Sequence, residues 1–377
     1  MKIVTVVGAR PQFIKAAAVN RAIHQWNKKK KRIREILVHT GQHYDVLMDK
    51  VFFEELALPR PNYHLGVGSG SHAEQTGMML ERIEAVLKKE KPMVVMVYGD
   101  TNSTLAGALA AAKLNIPVAH VEAGLRSDDR TMPEEINRLL TDHVSTFLFC
   151  PTDQAIQNLL REGIEDEKTR KVKNVGDVMY DSILHYSKLA EEKSTVLKDL
   201  NLYFSTPNSE HRTQNYYLAT LHRAENTDDP KRLRSILKAL DELGRKMPVI
   251  FPLHPRTKKM MNASHLLSRF KNIKCMEPVS YLNMLKLEKN AEAILTDSGG
   301  VQKEAYWLRT PCVTLREVTE WGYTVKEGWN MVSGWRTFDI LQAIQKLSIL
   351  KKRRKKEIGQ QRGAGEAIVR FLSQWSL

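Results

Sequence analysis

The sequence predicts an α/β protein built from two Rossmann-like domains that face each other across a cleft. Apolar segments of strand length alternate with helical segments, which is the pattern of parallel, doubly wound sheets. The pattern runs from residue 3 to residue 150, gives way to a polar segment at 188–215, and then restarts. A chain of 377 residues is long enough for two domains that each have their own hydrophobic core.

In the first half, the alternation predicts five strands and four helices. The strands are at 3–7, 33–38, 93–98, 118–121 and 146–150, and the helices are at 13–26, 44–56, 72–89 and 103–114. Polar residues follow several of these strands, among them His39, Gly99, Asp100 and Glu122. Ligands of doubly wound sheets bind outside the carboxyl ends of the strands, so we expect these residues at a binding edge.

The second half repeats the arrangement. Its predicted strands are at 216–220, 249–252, 293–296 and 312–315, with a helix at 230–246 and an exposed loop at 205–209. We place the first domain at 1–172 and the second at 173–361, because 173–177 is expected to begin the crossing between them. A C-terminal helix at 362–377 is expected to pack back onto the first domain.

The net charge is +15, which raises the question of a nucleic-acid partner. Much of the excess lies in two basic runs, 28–32 and 351–356, which contain no aromatic residues for base stacking. Such runs are usually solvated faces, so we expect no nucleic acid as a partner. A positive surface also draws in small anionic substrates.

The sequence does not indicate a membrane protein, a disulfide-rich protein, a metalloprotein or an enzyme with a dinucleotide redox cofactor. The longest apolar runs have strand length, and the N-terminal segment reads as a strand running into a turn instead of a signal peptide. Cys150, Cys275 and Cys312 show neither ligand nor disulfide spacing, and no acidic cluster has metal-site spacing. The turn after the first strand contains a single glycine, Gly8, which argues against a dinucleotide cofactor. We therefore expect a cytoplasmic protein without membrane, metal or cofactor.

An anion cradle is predicted where the strand at 293–296 ends. The next residues are Asp297-Ser298-Gly299-Gly300, and a helix is expected over 302–308. Unencumbered backbone N–H groups and the positive end of a helix dipole favour a phosphate at such a position. Glu304, inside the same helix, can accept hydrogen bonds from hydroxyl groups of the molecule that carries the phosphate. The alternative is an ordinary turn that uses glycine for its backbone freedom.

Three carboxylates of the first half are candidates for acid–base chemistry. Asp100 and Glu122 each follow a strand, whereas Glu134 opens a helix beside Glu135, with Arg138 one turn further on. Carboxylates that converge on one site repel each other, so one can act as an acid while another acts as a base. For Glu134 and Glu135 the alternative is complementarity with the helix dipole and an ion pair to Arg138.

Basic side chains at strand ends are candidates for anion binding. His222 lies at a strand-to-helix turn, where it could protonate or stabilise a leaving diphosphate, or could instead be a capping histidine. His254 precedes a proline and marks either a similar position or a plain loop. The further candidates for an anion clamp are Arg10, Lys15 and Arg316.

Eight short motifs occur in order along most of the chain. They are Gly8-Ala9-Arg10-Pro11-Gln12-Phe13-Ile14-Lys15, His39-Thr40-Gly41-Gln42-His43, Gly99-Asp100-Thr101, His120-Val121-Glu122-Ala123-Gly124-Leu125-Arg126, Pro133-Glu134-Glu135-Ile136-Asn137-Arg138, His222-Arg223-Ala224-Glu225, Asp297 to Glu304, and Thr319-Glu320. Together they resemble the non-hydrolysing UDP-N-acetylglucosamine 2-epimerase family, which is similar in architecture to GT-B glycosyltransferases. The resemblance implies an isomerase that acts on a UDP-sugar in the cleft and forms a homodimer.

In that family, C2 of the sugar is inverted by elimination of UDP to a bound 2-acetamidoglucal and re-addition of UDP. The resemblance thus implies interconversion of UDP-N-acetylglucosamine and UDP-N-acetylmannosamine for cell-surface polysaccharide synthesis. The catalytic groups it implies are Asp100, Glu122, Glu134 and His222. The predicted UDP- and sugar-binding residues are Arg10, Lys15, His254, Ser298, Gly299, Gly300, Glu304 and Arg316, with Glu304 at the uridine ribose.

Departures from the family pattern leave regulation open. Gln12 stands where the family commonly has glutamate, and Gly322-Tyr323 follows Trp321 where relatives often carry an acidic residue. The loop 66–75 lacks the arginine that helps regulated members hold an activating second UDP-N-acetylglucosamine. Gln42 and His43, the possible allosteric residues, are present, so allosteric activation stays open.

The substrate also has alternatives. The first motif and the loop 66–75 resemble the subgroup that epimerises UDP-2,3-diacetamido-2,3-dideoxyglucuronate. A glucuronate carboxylate would need an extra cationic partner, which Arg126 or Arg130 could provide. A GT-B glycosyltransferase would share the fold but need an acceptor site, and a non-catalytic binding protein would bind the nucleotide without turnover.

Overall fold

The computed structural model describes residues 1–29, 33–42, 53–205, 211–266, 269–350 and 362–375. The chain divides into two compact units, which we call unit 1 (Met1–Ser182 with Gly359–Leu377) and unit 2 (Ile183–Ile358). Each unit has its own parallel β-sheet and its own hydrophobic core. The prediction of two Rossmann-like α/β domains is therefore confirmed.

The described residues of unit 1 form seven strands, several helices and the start of a helix that continues into unit 2. The strands are β1 (Lys2–Val7), β2 (Arg34–His39), β3 (Tyr63–His64), β4 (Val94–Tyr98), β5 (Val118–Val121), β6 (Phe147–Cys150) and β7 (Lys171–Asn174). The first helices are α1 (Arg10–Lys29), α2 (His72–Glu90), α3 (Asn102–Lys113), α4 (Pro133–Val144), α5 (Asp153–Arg161) and α6 (Val178–Lys193), and the division between the units falls within α6.

The sheet of unit 1 has the order β3-β2-β1-β4-β5-β6-β7 and is parallel at every described pair. Its central strands are continuous apolar runs because helices cover both faces; every residue of β4 is buried. The core includes Ile83 of α2 and Ala106 of α3, packed with valines of β1 and β4. The strand order reverses between β1 and β4, and that reversal is where doubly wound sheets bind ligands.

Unit 2 has a second parallel sheet and a short antiparallel pair. Its strands are β8 (Tyr203–Ser205), β9 (His211–Thr213), β10 (Tyr217–Thr220), β11 (Val249–Pro252), β12 (Ile273–Met276), β13 (Ala293–Thr296), β14 (Cys312–Thr314) and β15 (Asn330–Val332). Its helices are α7 (Val196–Asp199), α8 (Ala224–Thr227), α9 (Pro230–Gly244), α10 (Pro255–Ala263), α11 (Tyr281–Asn290), α12 (Gly299–Leu308), α13 (Gly322–Lys326) and α14 (Thr337–Leu350). The parallel sheet has the order β12-β11-β10-β13-β14-β15, with its reversal between β10 and β13.

The last helix, α15 (Ala364–Trp375), lies on unit 1. Its Phe371 ring packs edge-on against Phe147 and Phe149, at centroid distances of 5.9 and 5.7 Å. The Asp181 carboxylate accepts the backbone amides of residues 363 and 365 (2.8 and 3.0 Å), which anchors the start of the helix. Glycine is required at 365, because a Cβ there would lie 2.9 Å from the Ala18 carbonyl oxygen.

Three predictions from the sequence differ from the structure. The boundary was predicted at 172/173, but residues 171–174 form β7, which pairs with β6, and Ser182 Oγ still donates to the Ile14 carbonyl of unit 1 (2.6 Å). The helix after the predicted cradle begins at Gly299, so both glycines belong to its first turn. The strands β3, β7, β8, β9, β12 and β15 were not predicted, and most of the predicted helix at 44–56 and loop at 205–209 lies outside the described residues.

Candidate active site

Asp100 and Glu122 lie at the same edge of the sheet in unit 1. β4 and β5 pair in parallel with Tyr98 opposite Val121, so the segments that follow them leave the sheet side by side. The Gly99 amide donates to the Val121 carbonyl (3.0 Å), which continues the pairing by one residue. The two carboxylates therefore follow adjacent central strands, next to the reversal of strand order.

Lys15 and Glu122 form a buried ion pair against Gly99. Lys15 Nζ donates to Glu122 Oε2, and the two side chains are only 9% and 6% exposed. Glu122 has φ of 77°, a left-handed conformation that a non-glycine residue keeps only when its surroundings hold it. Gly99 has φ of 65°, and a Cβ there would lie 2.9 Å from Lys15 Nζ and 3.3 Å from Glu122 Oε2. Both the backbone and the packing fix the position of this carboxylate.

Asp100 has a different cationic partner, Arg138 of α4. Arg138 Nη2 donates to Asp100 Oδ2, while Nη1 donates to Glu135 Oε2 (2.7 Å). Asn137 Nδ2 donates to the Asp100 carbonyl oxygen (2.9 Å), and α3 begins directly afterwards with Thr101 as its N-cap. Because Asp100 and Glu122 are paired with separate cations, their electrostatic environments differ.

The two glutamates at the start of α4 have different surroundings. Glu135 is buried and accepts hydrogen bonds from the amides of Ser127 (3.0 Å) and Asp128 (3.1 Å) as well as from Arg138. Burial alone would raise the pKa of Glu135, but these hydrogen bonds outweigh burial and lower it below its usual value. Glu135 is thus an ionised structural group. Glu134 is partly exposed on the first turn of the helix and stays a candidate for acid–base chemistry.

The turn between β1 and α1 is fixed by the buried side chain of Gln12. Its Oε1 accepts the Gly8 amide (2.8 Å), and its Nε2 donates to the Tyr98 carbonyl (3.0 Å) and to Thr104 Oγ1 (2.9 Å). A glutamine can both accept and donate here, whereas an ionised glutamate can only accept. Arg10, the first residue of α1, is held at the reversal of strand order and is partly exposed.

Gln42, a predicted allosteric residue, is engaged within unit 1. Its Oε1 accepts from the amide (3.1 Å) and the hydroxyl (2.7 Å) of Ser103, at the start of α3. Its carbonyl accepts from Gln75 Nε2 (3.3 Å) of α2. Gln42 therefore links the segment after β2 to two helices. His43, the other predicted allosteric residue, lies outside the described residues.

In unit 2, Ser298-Gly299-Gly300 begins α12. Ser298 is the N-cap; its Oγ accepts the Val301 amide (3.4 Å), and its own amide donates to Thr296 Oγ1 (2.9 Å). Gly299 and Gly300 follow as the first two helical residues, whose amides have no carbonyl one turn earlier. The start of α12 therefore presents donors and the positive end of the helix dipole, as a phosphate requires.

Asp297, directly before this turn, organises the segment after β10. Its carboxylate is fully buried and accepts the amides of His222 (3.1 Å) and Arg223 (3.0 Å) and the side-chain amide of Asn226 (3.2 Å). Asp297 Oδ1 also lies 3.4 Å from His222 Nδ1, so the carboxylate orients the ring as well as its backbone. The His222 ring lies 5.5 Å from the ring of His254.

His254 is the N-cap of α10, because its Nδ1 accepts the Arg256 amide (3.3 Å). This contact gives His254 a local structural role beside His222. Arg316, which follows β14, places Nε 3.3 Å from Glu225 Oε1 and Nη1 3.0 Å from Glu320 Oε2. Glu304 is a buried residue of α12, one helical turn beyond the cradle. Arg316 thus adjoins the first turn of α12 through Glu320, and Glu304 belongs to the same helix.

Two donors beside the cradle were not predicted. Trp321 Nε1 and Gln302 Nε2 are buried and have no hydrogen-bond partner in the part of the chain that the structure describes. Trp321 Nε1 lies 3.3 Å from the Cβ position of Gly299, and Lys303 Nζ lies 4.5 Å from the centre of the indole ring. A buried donor without a partner is costly, so this arrangement suits an anionic ligand. The tryptophan beside Thr319-Glu320 was the available sequence signal.

Arg126, considered above as a partner for a glucuronate carboxylate, is already engaged. Its Nε and Nη2 donate to the two oxygens of Glu162 (both 2.7 Å), and Nη1 lies 2.8 Å from Asp142 Oδ2. Its side chain is 5% exposed. A charge that two carboxylates already neutralise is a poor partner for a third. Arg130, the other candidate, is exposed.

Metal-binding and membrane-spanning features were sought among the described residues. They contain no group of three or more His, Cys, Asp and Glu side chains that could hold a metal ion. Their helices include none that is long and apolar enough to cross a membrane.

Two Rossmann-like units, each with its own parallel sheet, define a protein of the GT-B-like fold class. A Streptomyces glycosyltransferase complexed with thymidine diphosphate shares this fold at 11% identity, with a TM-score of 0.52 over 99% of both chains. At that identity the likeness concerns the fold alone. Residues 25–373 match the family described as UDP-N-acetylglucosamine 2-epimerase, so the chain belongs to that family and is an isomerase.

Relatives within the family support this assignment. A UDP-N-acetylglucosamine 2-epimerase homolog of Methanococcus maripaludis is 55% identical over 352 residues, 92% of this chain and 93% of that one. The UDP-2,3-diacetamido-2,3-dideoxy-D-glucuronate 2-epimerase of Pseudomonas aeruginosa is 50% identical over 335 residues, 89% and 88% of the two chains. The crystal structure of Methanocaldococcus jannaschii UDP-GlcNAc 2-epimerase, in complex with UDP-GlcNAc and UDP, is 48% identical, with a TM-score of 0.88 over 99% of this chain and 100% of that one.

Proposed function

We propose that the chain interconverts UDP-N-acetylglucosamine and UDP-N-acetylmannosamine, by eliminating UDP to a bound 2-acetamidoglucal and adding UDP back. The observation that carries the proposal is that two carboxylates, Asp100 and Glu122, follow adjacent strands and that each forms an ion pair with a different cation. Inversion at C2 requires removal of a proton from one face of the sugar and its return to the other. Two acid–base groups in different electrostatic environments meet that requirement.

Glu134 is the third carboxylate of this proposal. It lies four residues before Arg138, whose guanidinium also binds Asp100, so the same helix carries Glu134 and the cation of Asp100. Lys15 is buried against Glu122, and we propose that its positive charge neutralises this carboxylate and does not bind an anionic ligand. Of the two cations of unit 1 predicted to bind an anion, Arg10 is the partly exposed one, at the start of α1.

The leaving UDP is proposed to bind at the cradle of unit 2. The supporting features are the first two amides of α12, the buried donor Trp321 Nε1 and the guanidinium of Arg316. Preorganised donors of this kind stabilise charge that develops on a leaving group. His222, oriented by Asp297, is proposed to protonate or stabilise the departing diphosphate, and buried Glu304 to bind the ribose.

A second candidate substrate is UDP-2,3-diacetamido-2,3-dideoxyglucuronate, because a 50% identical relative carries that name. This sugar has an additional carboxylate, which needs a cationic partner. Arg126 is neutralised by Glu162 and Asp142, which leaves the exposed Arg130 as the candidate partner for this carboxylate.

The experiment is proton NMR of the purified protein in deuterated buffer, with each of the two UDP-sugars in parallel. Deuterium at C2 together with the manno epimer is expected with UDP-N-acetylglucosamine. Faster exchange with the diacetamido-glucuronate sugar would select the second candidate. Absence of exchange with both sugars would refute an epimerase of either kind.

We also propose that the enzyme is a cytoplasmic homodimer that supplies cell-surface polysaccharide synthesis. Ile136 and Leu140 lie four residues apart on α4, 46% and 45% exposed, and such an apolar stripe supports self-association. Light scattering should give a dimer for the parent chain and a monomer for Leu140→Glu. Phe338→Glu is the matched control, since Phe338 is 72% exposed on α14 of unit 2.

The proposed role in polysaccharide synthesis has its own test. Deletion of the gene should remove N-acetylmannosamine from the surface polysaccharide.

A further inference from the structure

A buried pair of side chains behind the two carboxylates takes part in none of the steps above. His120 lies in β5, two residues before Glu122, and Asp142 lies near the end of α4; both side chains are 0% exposed. His120 Nδ1 lies 2.6 Å from Asp142 Oδ1. His120 Nε2 lies 2.8 Å from the carbonyl oxygen of Gly99, the residue directly before Asp100.

Both ring nitrogens of His120 face oxygen atoms that accept hydrogen bonds. Burial alone would raise the pKa of Asp142, but the neighbouring His120 and Arg126 outweigh burial and lower it below its usual value. A backbone carbonyl has no hydrogen to donate, so His120 Nε2 is the donor to the Gly99 oxygen. A second hydrogen bond joins His120 Nδ1 to Asp142 inside unit 1.

The second carboxylate oxygen of Asp142 contacts the segment that follows Glu122. Asp142 Oδ2 accepts the Gly124 amide (3.0 Å) and lies 2.8 Å from Arg126 Nη1. Gly124 is two residues after Glu122 and has φ of 79°. A Cβ at Gly124 would overlap the Ala155 carbonyl, so this turn is tightly packed as well.

We propose that Asp142 is a positioning residue that sets the places of both Asp100 and Glu122. It acts on Asp100 through His120 and the Gly99 carbonyl, and on Glu122 through the Gly124 amide. Gly99 and Gly124 have positive φ, which glycine adopts readily, but Glu122 between them also has positive φ, and a non-glycine residue persists in that conformation only where its surroundings determine it. One buried carboxylate thereby fixes the spacing of two groups that must act on opposite faces of one carbon.

The rate test rests on the proposed function and uses Asp142→Asn in the full chain. A misplacement of about 1 Å costs on the order of 100-fold in rate, so kcat should fall by roughly that factor. Because Asp142 touches neither UDP nor the sugar in this proposal, KM and the Kd for UDP should stay within about threefold. Unchanged kcat, or an equal loss of UDP affinity, would overturn the proposal.

Glu162→Gln is the matched control. It removes the other carboxylate that binds Arg126 but leaves the contacts of Asp142 with His120 and Gly124 in place. Its kcat should stay within about twofold of the parent, as for a substitution that leaves these contacts intact. A loss as large as that of Asp142→Asn would assign the effect to Arg126 and overturn the role of Asp142.

Two further measurements, on His120→Gln alone and on the parent protein, do not depend on the folding of Asp142→Asn. His120→Gln should also lower kcat, and the double variant should lose less than the product of the two single losses, because both residues act on the Gly99 carbonyl. In ¹⁵N-histidine NMR of the parent protein, the His120 ring, assigned by its absence in His120→Gln, should carry a hydrogen on Nε2, the nitrogen that faces the Gly99 carbonyl. A ring without a hydrogen on Nε2 would overturn the proposal. This result stands even if the parent is inactive on both sugars, which would refute only the proposed function.

Discussion

The carboxylate of Glu320 lies against the α-carbon of Gly299, the first residue of α12. A Cβ at Gly299 would overlap Glu320 Oε1, and Glu320 Oε2 accepts from Arg316 Nη1 (3.0 Å). Gly299 does not have a positive φ, so glycine is required there by this close approach and not by backbone freedom. The Glu320 carboxylate, the Arg316 guanidinium and the indole donor of Trp321 therefore meet at the proposed phosphate position.

Gly299→Ala is expected to weaken UDP binding by about tenfold, because overpacking of this kind costs about 1–3 kcal/mol. The added methyl group must displace Glu320, which disturbs Arg316 and blocks approach to the helix amides. Isothermal titration calorimetry with UDP measures the effect. Gly322→Ala is the control, because a Cβ at Gly322 has no atom within 4 Å. Parental affinity in both variants would place UDP elsewhere.

Asp100→Asn and Glu122→Gln are each expected to lower turnover by orders of magnitude while the Kd for UDP stays near that of the parent. Each amide keeps the shape of the side chain but loses its capacity to accept and return a proton. Steady-state epimerisation and UDP titration together separate the two effects. An Asp100→Asn enzyme with parental turnover would remove that carboxylate from the mechanism.

Gln12→Glu is expected to lower the Tm of the protein, because an ionised carboxylate cannot donate to the Tyr98 carbonyl as Gln12 Nε2 does. Leaving a buried acceptor unpaired costs about 1–3 kcal/mol. Gln154→Glu makes the same chemical change on the exposed face of α5, where Gln154 Nε2 donates to Asn158 Oδ1, and should leave Tm nearly unchanged. Equal Tm values for the two variants would contradict the importance of the Gln12 contacts.

Glu135 is expected to contribute to the pH dependence of stability. Its pKa in the folded protein is lowered, so its stabilisation is fully present above the unfolded pKa of about 4.3 and is lost as pH falls through the lower folded value. Glu135→Gln should therefore be less stable than the parent at pH 7, and the difference should shrink on acidification. Thermal unfolding at several pH values tests this. Glu134→Gln, at a partly exposed neighbour, should track the parent at all of them.

Patterns of apolar residues predicted the central strands well, because buried parallel strands are continuous apolar runs. β4 and β13 are examples, with every residue buried. The short edge strands β3 and β15 were not predicted, since they are only two and three residues long. Their pairing depends on neighbours that are distant along the chain, and a local pattern cannot reveal it.

In the candidate site, too, local sequence patterns identified some residues but not those that depend on distant partners. Strand-end position was sufficient to single out Asp100 and Glu122, because the sheet topology brings strand ends together. It could not reveal that Lys15 pairs with Glu122 or that Asp142 lies behind both, since those contacts join residues 107 and 18–22 positions apart. Partners that meet only in the folded protein are determined by packing, which sequence spacing does not record.

The position of α15 has a consequence for biosynthesis. A ribosome makes unit 2 before it makes the helix that covers Phe147 and Phe149 of unit 1. In the nascent chain these two rings of unit 1 therefore lack the cover of α15 until residues 364–375 have left the exit tunnel. Translation that stops early would yield two units of which only the second is finished, and the bare aromatic face of the first would be a target for chaperones and proteases.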